Sequence, residues 1–589
     1  MISFKNKYHG RAGWLCYGMA MALTLTACAD WDDHYDANTA IVDTQNATLW
    51  ENIANDPNLS QFASLLKKTE YDKILSASQT YTVWAPLNGT FDYDALSVAS
   101  NDKVIKEFVQ NHIARSNYTV SGKVDEKVFM LNEKLMLFGG NGSYTIQNVG
   151  LDKVNVASSN GVLHTVSQRI PFLANIYESL NNEEYALDSI SEFYHSYDEK
   201  VLNEQRSVAG PIVDGEETYL DSIFDEDNDL YTRYRAYINR EDSNYTMVVP
   251  TNEAWAKARA AITKLYHYAP SFEYVENTVG ANTRKVNTIK LKDTAYLTDS
   301  MSNLVLTRGL FFNNNLYDNK RLNTLQDGET LQCDSLYSTT GMKIFTEDAA
   351  HLLENAHRVD KSNGAIWVVD SLRMHPWTIW NPEIKIEGEL MSLISGYNYV
   401  AGSPEMVWVT EGSRNPAVPG RLSLSRYMEA QPSALNTNPE VDYYLPGVRS
   451  TEYSLYVVFV PGNIENANYE PKPNYVRIKI GYADANGKEQ ETAFLRNPVD
   501  GSQYFTNDSS KIDTVYIGDF TFPVAYAGTG SDSQEYSPYV RIQSNVGSKQ
   551  RESYDRTLRI DCIILRPKEL DLYRNEHPEY KYDEGIYGD

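Results

Sequence analysis

Residue types able to do chemistry are present, but seldom at a spacing that chemistry can use. His351 and His357, the nearest histidine pair in the folded region, do not share a helix face, and no His-Glu-x-x-His is present. Asp225, Glu226, Asp227, Asn228 and Asp229 open like a calcium loop. Leu230, however, stands where the sharp turn needs glycine, and Ala236 where a bidentate acid belongs. Gly-x-Ser-x-Gly, a Walker loop and a dinucleotide glycine fingerprint are all absent. A glycoside-cleaving carboxylate pair is defined by separation in space, so abundant acids do not reveal one. The sequence therefore predicts no catalytic residue, no metal and no cofactor, and what remains is binding chemistry. Tyrosine is the most distinctive component, 43 of 589 residues. Its ring gives flat apolar area with a polar edge, which suits sugar stacking and protein contacts alike, although many strand tyrosines are core. Trp408 with the run Asp442, Tyr443 and Tyr444 is the candidate ligand-binding patch. His112 and His164 lie among apolar residues and read as buried, hydrogen-bonded rings that lock a helix to a strand.

A chain of 589 residues with 42% hydrophobic content has material for several cores. Acids outnumber bases 79 to 53, a net charge of −26, so the protein's field repels phosphates and nucleic acid is excluded as a general partner. The start of the chain combines basic Lys5, Lys7 and Arg11, an apolar stretch from Trp14 to Leu25, and the tetrad Leu25-Thr26-Ala27-Cys28. This resembles a bacterial lipoprotein signal peptide with its lipobox. The resemblance implies cleavage before Cys28 and acylation of that residue, giving a protein tethered to the membrane by lipid and not spanning it. The acidic run that follows, Asp30 to Asp36, resembles the export signal of surface lipoproteins, which places the expected location on the outer face of an outer membrane. Cys16 leaves with the signal, and Cys333 and Cys562 fall in different predicted domains, so no disulfide framework is expected.

Two ordered motifs recur along the chain. Tyr81-Thr82-Val83-Trp84-Ala85-Pro86-Leu87-Asn88 is echoed by Tyr245-Thr246-Met247-Val248-Val249-Pro250-Thr251-Asn252, a β-type run stopped by Pro-x-Asn. Asn160-Gly161-Val162-Leu163-His164-Thr165-Val166 is echoed by Asn363-Gly364-Ala365-Ile366-Trp367-Val368-Val369, read as an Asn-Gly turn feeding an alternating strand. The pair of motifs resembles the fasciclin domain family over residues 38–372. That family is α+β, and helical signals agree with it. Asp56 and Pro57 suit the start of a helix carrying Leu59, Phe62, Leu65 and Leu66, and Ile105, Phe108, Val109 and His112 lie on one face of another. The second copy is longer between its motifs, so its insertions are expected on loops, and Trp367 replaces the family's histidine.

Beyond residue 376 the alternation becomes β-type, as in Val476, Ile478 and Ile480 against Arg477 and Lys479. The expected fold is therefore α+β, with two fasciclin-like domains followed by an antiparallel, jelly-roll-like β-sandwich. The boundaries are a signal peptide at 1–27, an acidic tether at 28–42, fasciclin-like domains at 43–174 and 175–374, the sandwich at 375–567 and a charged tail at 568–589. The expected function is binding or adhesion at the cell surface, with membrane attachment through Cys28. A glycan or peptide is the ligand class, and resemblance implies a SusC/SusD-like transporter as partner. The alternatives are a glycan-active enzyme with its site in the sandwich, and a cell or matrix adhesin.

Overall fold

The computed structural model describes residues 46–181, 183–202, 208–209, 219–221, 224–270, 272–279, 284–291, 293–526 and 536–580. The signal region, the tether and Cys28 lie outside the described residues. The chain divides into two compact units, Met1–Leu173 and Ala174–Asp589. Among the described residues no helix is long and apolar enough to cross a membrane.

In the first unit, Asp56 accepts from Asn58 N and starts the short helical turn Pro57–Leu59, which runs into the helix Ser60–Lys68. Leu59, Phe62, Leu65 and Leu66 are all buried, as the helical spacing predicts. These side chains cover a four-stranded sheet of β1 (Tyr81–Pro86), β2 (Ile113–Arg115), β3 (Val156–Ser158) and β4 (Gly161–Val166), in the order β2-β1-β4-β3. The two sequence motifs are β1 and β4, and they pair in parallel from Tyr81↔Gly161 to Pro86↔Val166.

The second unit repeats this layout with β5 (Tyr245–Pro250), β6 (Phe311–Asn313), β7 (His357–Lys361) and β8 (Gly364–Val369), in the order β6-β5-β8-β7. Here β5 and β8 pair in parallel from Tyr245↔Gly364 to Pro250↔Val369. Every residue of β4 is buried, and so is all of β8 except Gly364 at its start. The alternation expected of these strands is therefore corrected, because central parallel strands are covered on both faces.

The motif asparagines have equivalent jobs in both copies. Asn88 Oδ1 accepts from Gln61 N at 3.0 Å and Asn252 Oδ1 from Ser189 N at 2.9 Å, so each Pro-x-Asn ties its strand to the first turn of a helix. Asn160 Oδ1 accepts from Leu49 N, and its amide donates to Leu75 O and Ala77 O. Asn363 Oδ1 accepts from Ile176 N, and its amide donates to Ile238 O and Arg240 O. These buried asparagines anchor the helix that opens each copy, beyond any role in a turn. Trp84 lies opposite His164 in β1/β4, whereas Val248 lies opposite Trp367 in β5/β8. The large indole has moved to the neighbouring strand, so each pair still fills its layer with one tryptophan.

His112 and His164 are structural. His112 donates from Nδ1 to Phe108 O at 2.7 Å and accepts at Nε2 from Ile170 N at 2.9 Å. His164 donates from Nε2 to Tyr118 O at 2.8 Å and accepts at Nδ1 from Asn155 N at 3.3 Å. Each ring must be neutral to accept, and burial lowers both to about 4 from the ordinary 6.5. The unfolded chain takes up these protons at higher pH than the folded one, so stability present above pH 6.5 is lost as pH falls toward 4. The expected slope is about 1.4 kcal/mol per pH unit for each ring. Melting of the full chain across this range should show the loss, and His112→Gln should shallow it. A melting temperature flat from pH 7 to pH 4.5 would contradict the assignment.

From residue 384 two six-stranded antiparallel sheets enclose one core. The strands are β9 (Ile384–Glu387), β10 (Ile394–Asn398), β11 (Glu405–Trp408), β12 (Arg426–Ala430), β13 (Glu440–Tyr444) and β14 (Glu452–Phe459). They continue with β15 (Tyr475–Ala483), β16 (Glu489–Glu491), β17 (Phe505–Thr506), β18 (Asp513–Thr521), β19 (Tyr539–Ser544) and β20 (Leu558–Pro567). One sheet runs β11-β12-β20-β14-β18 with β9 beside β20, and the other runs β10-β13-β19-β15-β16 with β17 beside β15. Met428, Leu455, Val457 and Ile560 from the first sheet meet Val441, Val476, Ile478, Val540 and Ile542 from the second.

Two features of this region bear on the expected boundaries. The sandwich and the second repeat copy are one compact unit, because Ala525 joins the repeat's core and its amide donates to His267 O at 2.7 Å. The segment from Lys568 is not wholly a tail, since Lys568–Glu576 is a helix with Leu570 fully buried. Asp571 accepts from Ser454 Oγ at 3.0 Å and Tyr456 Oη at 2.7 Å, and Lys568 pairs with Asp519 at 2.7 Å. Its charges read as solvated in the sequence because their partners lie on distant strands.

Candidate functional site

Tertiary structure breaks up the predicted patch of Trp408, Asp442, Tyr443 and Tyr444. Trp408 is on β11, an edge of the first sheet, where it is 58% exposed and stacked by Arg426 at 4.7 Å. Asp442, Tyr443 and Tyr444 are on β13 of the other sheet. Tyr443 points inward, is fully buried, and donates its hydroxyl to Gly388 O. Alternation along a strand sends neighbours to opposite faces, so Tyr443 cannot share a surface with the residues on either side. Asp442 and Tyr444 do stay together on the outward face.

Register assembles that face into three rows. Asn398, Glu440, Gln543 and Arg477 align across β10, β13, β19 and β15. The next row is Gly396, Asp442, Arg541 and Lys479, and the third is Tyr444, Tyr539, Gly481 and Glu491. Arg541 grips Asp442 with Nε and Nη2, both at 2.8 Å, and donates from Nη1 to Glu491 at 2.9 Å. Hydrogen bonds to Asp442 hold its guanidinium charge beyond the ordinary arginine range. Lys479 reaches Glu491 at 2.6 Å, and Tyr539 Oη donates to Glu491 at 2.9 Å. Burial opposes ionisation of Glu491, yet its hydrogen bonds from Lys479 and Tyr539 keep its carboxyl below the usual range.

The rings occupy this face because a glycine makes room. A Cβ at Gly481 would come within 2.2 Å of Tyr539 Cε1 and 2.6 Å of Cζ, so the tyrosine ring lies over the bare backbone there. Tyr444 meets Tyr526 edge to face at 5.5 Å, and Tyr536 stands 6.5 Å from Tyr539. Beyond them lies a shallow dip in the surface, lined by Phe522, Tyr526, Tyr536 and Pro538 from the sandwich and by Ala269 and Pro270 from the repeat. Rings beside a pre-ordered fringe of donors and acceptors can stack on a ligand ring and hydrogen-bond its edge. The sequence reading missed Tyr539, Arg541, Glu491 and Tyr526. The alternating Tyr539-x-Arg541-x-Gln543 carried a signal, but nothing along the chain says which strand it pairs with.

A second polar group lies beside β9. Asp561 accepts from Ser423 N at 3.1 Å, Ser423 Oγ donates to Glu387 at 2.8 Å, and Lys385 Nζ donates to Ser423 Oγ at 2.6 Å. Burial pushes the Asp561 carboxyl up to about 8, so it holds its proton at neutral pH. Among the described residues no set of three or more His, Cys, Asp or Glu side chains could hold a metal ion.

Residues 57–170 match the fasciclin domain family, and this stretch is a fasciclin domain. No curated protein matches the chain. Among solved structures, it is similar to the FAS1 domain pair of the insect cell adhesion molecule Fasciclin I, at 12% identity over 55% of this chain and 98% of that one, with a TM-score of 0.19. It is also similar to the xylan-binding domain from CBM 22, at 14% identity over 31% of this chain and 92% of that one, with a TM-score of 0.17. A third similarity is to CBM32-1 from a family 31 glycoside hydrolase of Clostridium perfringens, at 15% identity over 29% of this chain and 97% of that one, with a TM-score of 0.14. Similarity at this level defines neither ligand nor activity.

Proposed function

We propose that the protein is a surface lipoprotein that binds glycan through the outward face of β13, β19 and β15 without cleaving it. The observation that carries this reading is the Tyr539 ring lying over Gly481, beside the fixed Arg541, Asp442 and Glu491 cluster. Held in place before a ligand arrives, these groups lose little conformational freedom on binding. The lipobox sequence ending at Cys28 supports attachment to a membrane, with the modules between Cys28 and the sandwich acting as spacer. The matching strand order and register of the two copies support reading residues 175–374 as a second fasciclin-type domain. The sandwich is read as jelly-roll-like.

The test is affinity electrophoresis of the full chain against soluble polysaccharides, together with an assay for new reducing ends. We expect retardation by at least one polymer with no release of reducing ends. Tyr539→Ala should weaken binding about tenfold or more, the size expected when about 1.4 kcal/mol or more of ring stacking is removed. Retention of every polymer by the Tyr539→Ala protein would place the site elsewhere, and release of reducing ends would favour the enzyme.

A further inference from the structure

We infer that the ligand of this face is an uncharged, hydroxyl-rich glycan and not a uronate or sulfated one, an inference that rests on the proposed glycan-binding reading. The face is rich in charge, but its charges are committed to each other. Asp442 holds two nitrogens of Arg541 at 2.8 Å, and Glu440 lies 3.5 Å from the same side chain while accepting from Gln543 at 2.9 Å and Asn398 at 3.0 Å. Glu491 receives Arg541, Lys479 and Tyr539 together. An anionic group that drew Arg541 or Lys479 toward itself would strand Asp442 or Glu491, whose side chains are only 14% and 30% exposed. Leaving a half-buried carboxylate without its partner costs more than one new ion pair at a wet surface returns.

Arg477 is the cation on this face that sits differently. It donates to Gln543 at 2.8 Å and lies over the Phe494 ring at 4.0 Å. That ring covers one face of the guanidinium and Gln543 takes one of its donors, so Arg477 offers an incoming anion fewer open N–H groups than a free arginine would. Beyond the face, the chain's net charge of −26 repels polyanions at long range. Hydroxyl groups face none of these penalties. They can accept from guanidinium and ammonium hydrogens and donate to carboxylate lone pairs that the internal pairs leave open, while the rings take the apolar face of the sugar.

The experiment titrates the full chain calorimetrically with arabinoxylan, hydroxyethylcellulose and galactomannan as neutral probes, and with polygalacturonate and alginate as anionic ones. Each titration is run at about 50 mM and about 500 mM salt, a range that removes most exposed electrostatics. The expected result is that a neutral polymer binds with affinity changed less than about twofold by salt, and that both uronate polymers bind at least about tenfold more weakly. Tight, salt-sensitive uronate binding that Arg477→Gln abolishes would overturn the inference and leave glycan binding standing. Equal affinity for neutral and uronate polymers would also overturn it. Binding of none of the five would overturn the proposed function and this inference together.

Discussion

Gly161→Ala should unfold the first unit, and Gly364→Ala should do the same to the second copy of the repeat. Gly161 has φ +152°, and a Cβ there would sit 1.9 Å from Tyr81 O and 2.8 Å from Leu49 Cδ1. At Gly364, with φ +140°, the Cβ would sit 1.8 Å from Tyr245 O. In each case the obstructing atom is a backbone oxygen of the parallel partner strand, which cannot rotate away as a side chain would. Relief requires separating β1 from β4, or β5 from β8, at the first pair of the register. The two strands are central and fully packed, so a loss of about 4 kcal/mol or more is expected, a large part of a typical domain's stability. Calorimetry of the full chain should show the transition of the affected unit moving to much lower temperature. Midpoints unchanged within a degree or two would mean that the parallel pairing is not as described.

Arg449→Ala should be nearly as damaging, for a different reason. Arg449 is 8% exposed and sits where the second repeat copy meets the sandwich. Its Nε donates to Tyr266 Oη at 3.0 Å and its Nη1 to Gly447 O at 3.2 Å, while its backbone N donates to Tyr453 Oη at 3.2 Å. Tyr453 in turn donates to Asn381 Oδ1 at 3.3 Å, and Tyr266 to Trp380 O at 3.4 Å. Removing the guanidinium leaves a cavity and strips Tyr266 and Gly447 of a buried partner, a loss of about 3–5 kcal/mol. Arg449→Lys should not rescue it, because one ammonium cannot reproduce the spread of the planar fork between Tyr266 and Gly447. Because this residue bridges the two parts, the variant should also split one unfolding transition into two. A single transition at the wild-type temperature would show that the seam is held elsewhere.

These effects also mark how much could be read in advance. The Pro-x-Asn and Asn-Gly motifs were visible as repeats because both copies must present the same backbone at the same places, and identical constraints leave identical residues. Their pairing with each other was not visible. Nothing within Tyr81 to Pro86 indicates that its partner begins at Gly161, and the burial of β4 and β8 on both faces follows only from that partnership. The burial of Leu59, Phe62, Leu65 and Leu66 was legible because helical spacing is a local property. Lys568–Glu576 was missed because its polar residues find their partners on β14 and β18, far away in the chain.

The candidate site divides in the same way. The repeated motifs, composition and alternation alone determined that this protein carries a tyrosine-rich, β-rich region after a repeated mixed module, and they grouped Trp408, Asp442, Tyr443 and Tyr444 into one patch. Only the tertiary structure decided that Tyr443 is core, that Trp408 belongs to the opposite sheet, and that Tyr539, Arg541 and Glu491 stand beside Asp442. The physical reason is that side-chain direction along one strand follows from its own period of two, whereas proximity across strands is set by register. Register is chosen by the packing of the whole sandwich, and no single segment contains it.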